Sequence, residues 1–120
     1  MLTGSLSVLA DLEAADRRRE HPRFDAANFA ANAALVRPLM DMAKAKGCTP
    51  GQLALAWLLA QGDDIVPIPG TKRRSHLRQN LAAIDLALAP EESAALAKAI
   101  DASAVKGERY PVVQLGLLGI

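Results

Sequence analysis

Aromatic residues are nearly absent. Phe24, Phe29, Trp57 and Tyr110 are the four in 120 residues, 3% of the chain. So sparse a set supplies no stacking platform of the kind single-stranded nucleic acids use. Cysteine is as scarce: Cys48 stands alone, which rules out an internal disulfide and suits a reducing cytoplasm. The longest unbroken apolar run, Leu53 to Ala60, has eight residues and is far too short to span a bilayer. Residues 1–10 lack the basic start of a signal peptide and lead directly into Asp11. The formal net charge is +1, so the chain as a whole is no general polyanion binder and any taste for anions must be local. Phosphate-loop signatures are missing too. No glycine stands five residues before Gly70, where a Walker-type loop would need one, and no Gly-x-Gly-x-x-Gly occurs.

What is present is Ala- and Leu-rich, 51% hydrophobic, and patterned as one soluble domain over residues 1–120, with an irregular tail over 101–120. Residues 2–20 carry no clear period, and the charge run Asp16 to Glu20 reads as solvated surface. His21-Pro22-Arg23-Phe24 reads as an extended loop, because Pro22 disfavours helical geometry at His21. No metal-ligand spacing surrounds His21.

Asp25 suits the N-cap of a helix running to about Lys46 and closed by Gly47, with Phe29, Ala33, Val36, Met40 and Ala43 as its inward stripe. Pro38 inside that span predicts a break near Leu35 to Val36, since a proline interrupts the backbone ladder. Thr49-Pro50-Gly51-Gln52 combines a cap, a first-turn proline and a reciprocal capping partner. The run that follows, Leu53 to Ala60, predicts a helix buried all round, with a Trp57 indole that needs an acceptor. Farther on, Pro90-Glu91-Glu92 opens a helix with Leu96 and Ile100 facing inward and Ala89 as a weak cap.

The stretch that promises chemistry lies between. Ile65-Val66-Pro67-Ile68 predicts a short buried parallel strand, Pro69-Gly70 a tight turn, and the residues beyond a helix with Leu77, Leu81 and Ile84 turned inward. Four of the seven residues from Lys72 to Arg78 are cations, placed where they oppose the helix dipole. A phosphate at this turn would account for them, because helix starts and cations both favour anions. A solvated basic face is the alternative. His76, Gln79 and Asn80 stand at i, i+3 and i+4 and share one helix face.

These segments, Leu2-Thr3-Gly4, Pro22-Arg23-Phe24, Thr49 to Trp57, Ile65 to Asn80, Leu88 to Glu92 and Gly107 to Tyr110, resemble the aldo-keto reductases of the long-chain bacterial type. The resemblance implies an α/β fold, the C-terminal part of a TIM-type (β/α)8 barrel, mostly helical in this portion. Such a barrel takes about 250 residues. It also implies hydride transfer between NADPH and an aldehyde or ketone, without metal or nucleic acid. Gly70, Thr71, Lys72 and Arg73 would surround the 2′-phosphate of NADP(H), His76, Gln79 and Asn80 would line the adenosine, and Ile68 would pack beside it. Relatives commonly carry Glu where this chain has Arg78 and Gln79, and a neutral amide accepts more weakly than a carboxylate. No segment matches the family's catalytic motifs, and Tyr110 lies in the wrong context for a proton donor. A standalone helical interaction module is the competing expectation, and a nucleic-acid-binding fragment a third. The carbonyl substrate and the oligomeric state are not legible.

Overall fold

Leu53 is fully enclosed, and the architecture follows from how it is covered. A computed structural model describes residues 1–6 and 8–117. Its helices are α1 (Ala26–Leu35), α2 (Arg37–Ala45), α3 (Pro50–Leu59), α4 (Arg74–Leu81), α5 (Pro90–Ala99) and a single turn, α6 (Val112–Leu115), with short 3-10 turns between them. Val36, Leu39 and Ala43 of the α1–α2 arm, Leu53 of α3 and Leu96 of α5 form the core, and Met42, Cys48, Trp57, Leu88 and Ile100 pack around them. Removing a large apolar side chain from such a core costs about 2–5 kcal/mol.

The expected break falls at Val36, which ends α1, and Pro38 then occupies the first turn of α2, where a missing N–H costs no intrahelical bond. The break resets the rotation of the second half. Leu39 is buried, while Met40, expected inside, is 41% exposed. Gly47, at φ +68°, closes α2 in the left-handed conformation, and Cys48 N–H donates to the Ala43 carbonyl at 3.0 Å. Asp25 precedes α1 as expected, but its side chain makes no capping bond.

Three expectations fail for one physical reason. Among the described residues there is no β-strand. Ile65 to Pro69 has no neighbouring strand, and Pro67 and Pro69 offer no N–H for one. Leu77 and Leu81 of α4 and Ile84 of the turn after it are 48%, 56% and 68% exposed rather than inward, because no element among the described residues covers them. Leu58 and Leu59 reach the surface, so α3 is buried on one side only. The radius of gyration, 15.3 Å, exceeds the roughly 13.6 Å of a compact 120-residue domain.

Two cross-links tie distant segments. Asn32, buried on α1, donates to the Arg23 and Lys106 carbonyls at 3.1 and 2.8 Å and accepts from Lys106 N–H at 2.7 Å. That clasp holds residues 105–110 against the start of α1. Gly107 is needed there: its φ is +82°, and a Cβ would sit 2.8 Å from the Pro22 carbonyl. Residues 101–117 carry short turns at Ala102–Ala104 and Val112–Leu115. Val112 and Val113 remain 83% exposed. The rest of the apolar tail, 118–120, lies outside the described residues.

The second link is an ion pair. Lys46 Nζ at the end of α2 contacts both carboxylate oxygens of Glu92 at 2.7 and 2.8 Å, and Glu92 also accepts from Ala89 N–H at 2.9 Å. Ala89 has no side-chain acceptor, so this is half of a capping box. The Lys46 ammonium, and then the Ala89 N–H, lower the Glu92 pKa. A carboxyl whose folded pKa is depressed contributes stability above its unfolded value, and that contribution is lost as pH falls through the folded value. Glu92→Gln should accordingly flatten the acid side of the stability curve below about pH 4.5, measured by thermal melts between pH 3 and 7. The exposed apolar surface of Val66, Ile68, Leu77, Leu81 and Ile84 predicts self-association or loose packing in solution. A sharp, concentration-independent monomer transition at micromolar protein, by sedimentation and circular dichroism, would contradict it.

Candidate functional site

The start of α3 is held by its own side chains. Thr49 Oγ1 accepts from Gln52 N–H at 3.2 Å, and Gln52 Oε1 accepts from Thr49 N–H at 2.9 Å and from the Thr49 hydroxyl at 3.0 Å. Pro50 occupies the first helical position. This anchored turn forms one wall of a cleft of about 390 Å³, with Thr49, Gly51 and Gln52 on it. The opposite wall is α4, which contributes His76, Gln79 and Asn80, and Gly70 lies at the junction. Thr3 and Ser5, whose hydroxyls are 2.9 Å apart, complete the lining. The volume is within the range of small-molecule sites.

Helical spacing puts His76, Gln79 and Asn80 together: they form one face, and that face looks into the cleft. Gly70 joins them. A Cβ placed on Gly70 would meet nothing within 4 Å, so its value here is open space rather than a forbidden backbone angle. Ile68, Thr71, Lys72 and Arg73 do not line the cleft. Ile68 is 92% exposed. Thr71 folds on the adjoining turn, where its hydroxyl accepts from Arg73 N–H at 3.3 Å and its proton is directed to the Arg73 carbonyl at 3.1 Å. Arg73 is the residue before α4, and Lys72 precedes it. Ion pairs among the described residues join Arg18 to Asp16 and Lys46 to Glu92, so no carboxylate within 4 Å claims Lys72, Arg73, Arg74 or Arg78.

Thr3, Ser5, Thr49, Gly51 and Gln52 were not among the expected site residues. Thr49 and Gln52 were legible as a helix cap, but nothing in a capping pattern says which tertiary surface the cap will face. A second cavity of similar volume is lined by Leu2, Leu39, Trp57, Leu58, Leu96 and Ile100. It is apolar apart from Asp101, whose carboxylate is engaged by Ser103 N–H at 2.8 Å and the Ser103 hydroxyl at 2.7 Å. The Trp57 indole N–H finds its expected acceptor in the Ser93 carbonyl at 3.1 Å. No cluster of three or more His, Cys, Asp or Glu among the described residues could hold a metal. Nor is any described helix long and apolar enough to cross a membrane.

The profile of the Aldo/keto reductase family matches residues 2–101, and so takes in both walls of the cleft and the basic turn. The chain belongs to the aldo/keto reductase family. It is 46% identical over 110 residues to "Aldo-keto reductase yakc [NADP(+)]" of Schizosaccharomyces pombe, an alignment that covers 92% of this chain and 32% of the relative. It is 39% identical over 109 residues to "Aldo-keto reductase str7" of Strobilurus tenacellus, covering 91% and 32% respectively. The chain thus spans about a third of the length of these two relatives. No solved structure matches it significantly.

In this reductase-family chain the cleft wall depends on the cap that starts α3. Thr49→Ala removes the acceptor for Gln52 N–H and should lower stability by about 1 kcal/mol. It should appear as a lower thermal midpoint at fixed protein concentration. A midpoint unchanged from wild type would mean that Pro50 and packing alone set the start of α3.

Proposed function

We propose that the cleft between α3 and α4 is the adenosine side of an NADP(H) site, and that the chain serves an oxidoreductase acting on an aldehyde or ketone. The observation that carries this is the pairing of a neutral polar cleft with adjoining cations that no carboxylate among the described residues claims. Lys72 and Arg73 suit the dianionic 2′-phosphate, with Thr71 and Gly70 on the same turn. His76, Gln79 and Asn80 would line the adenosine, with Ile68 beside it. When bound, the cofactor supplies or takes up a hydride.

This chain's own part is to bind and orient. Its cations neutralise phosphate charge, and its carboxamides offer the base hydrogen bonds. We place the groups that transfer protons to the carbonyl outside this chain. Tyr110 supports that placement, because it does not line the cleft and lies instead beside the His21 ring at 5.6 Å and under Arg109 at 5.4 Å. The segment is the C-terminal part of a (β/α)8 barrel in this proposal, and the uncovered Val66, Leu77 and Leu81 would face the barrel's other elements. A cytoplasmic location accords with the single cysteine.

The exposed apolar face of α4 also favours a second reading, a helical interaction module without enzymatic activity. Equilibrium titration with NADPH and NADH separates the two, because the module requires neither to bind. Charge-assisted hydrogen bonds contribute about 1.5–3 kcal/mol each. Lys72→Ala combined with Arg73→Ala should therefore weaken NADPH binding at least tenfold and leave NADH nearly unchanged. Equal weakening of both cofactors would remove these side chains from the phosphate.

A further inference from the structure

His76, Gln79 and Asn80 make no side-chain hydrogen bonds among the described residues, so each can rotate to present a donor or an acceptor. Gln52 cannot. Its carboxamide faces Thr49 N–H at 2.9 Å, a group that only donates, so the atom there must be the oxygen. The Thr49 hydroxyl, 3.0 Å away, takes up the same oxygen a second time. The acceptor end of Gln52 is therefore used up in starting α3, and what remains for the cleft is the amino group, with two N–H donors that have no partner among the described residues. Thr49 is in turn engaged with Gln52 N–H at 3.2 Å, so the pair holds itself in place.

We infer that Gln52 is a base-recognition residue of the cleft, its side-chain amide fixed by the helix cap as a donor to a ring nitrogen of adenine. This rests on the proposal that the cleft holds the adenosine of NADP(H), and adds a contact outside the α4 face. Adenine offers ring nitrogens that only accept and an amino group that donates. Gln52 answers the first. Gln79, or Asn80 beside it, is free to answer the second with its carbonyl oxygen. Gly51, the neighbour of Gln52 on the same wall, leaves the approach open, since a Cβ there would meet only Thr3 Cγ2 at 3.9 Å.

Gln52→Glu isolates this role from folding. Glutamate at the third helical position accepts from the cap residue as glutamine does, so the capping box survives. The donor facing the cleft becomes an acceptor. Two probes are titrated calorimetrically into the protein: adenosine 2′,5′-bisphosphate, and the same sugar bisphosphate without its base. Wild type should bind the adenosine probe at least tenfold more tightly than the baseless one. In Gln52→Glu that ratio should fall to about 1–2, with the thermal midpoint unchanged. The added negative charge weakens both probes alike and cancels in the ratio. A ratio that stays at its wild-type value overturns the assignment of Gln52 and leaves the cofactor proposal standing. Failure of wild type to bind the adenosine probe overturns the cofactor proposal, and the Gln52 assignment with it.

Discussion

The seat of Leu53 is the constraint on which the remaining structure depends. Leu53 is 0% exposed, and it is covered by Val36 and Leu39 from the broken α1–α2 arm and by Leu96 from α5. Burying a leucine stabilises by roughly 1.5–3 kcal/mol, yet the gain requires all three elements to arrive together. The break at Val36 lets the arm wrap far enough, and the Lys46–Glu92 pair fixes α5 against the end of α2. Once α3 is held at Leu53, its first turn is held too, and that turn is a wall of the cleft. Core and site share one helix: its middle is packed and its start is polar.

The opposite wall is different in kind. None of the residues of α4 is buried. What recommends this helix is charge rather than packing. Its start carries cations with no carboxylate partner among the described residues, against the dipole preference of a helix. A local rule broken at a turn beside a cleft is where function is to be sought. The same helix exposes Leu77 and Leu81, so it is incomplete on one face and chemically equipped on the other.

Much of the local structure was legible residue by residue. Thr49, Pro50 and Gln52 announced the start of α3, Pro38 the interruption at Val36, Gly47 the end of α2 and Pro90 the start of α5. Each signal acts over three or four residues, through a hydrogen bond or a steric clash that needs no distant partner. Helical spacing likewise puts His76, Gln79 and Asn80 on one face. The misjudged residues, Met40, Leu58, Leu77, Leu81 and Ile84, share another trait. Their burial depends on which element lies opposite, and hydropathy says that a side chain favours burial without saying that a partner is there.

By itself, the amino-acid sequence determined the starts of α2, α3 and α5, the shared helical face of His76, Gln79 and Asn80, the clustering of cations before and within α4 and the family resemblance, because all of these reside in short-range chemistry and residue order. The tertiary structure alone decided that a helix cap at Thr49 and Gln52 would face His76, Gln79 and Asn80 some 25 residues away. It decided too that Asn32 would clasp Lys106, and that Ile65 to Pro69 would form no strand. A strand exists only as a pair, and a cleft only as two walls. Both are properties of elements brought together across long stretches of chain, set by the burial of a few core residues rather than by the residues that face each other.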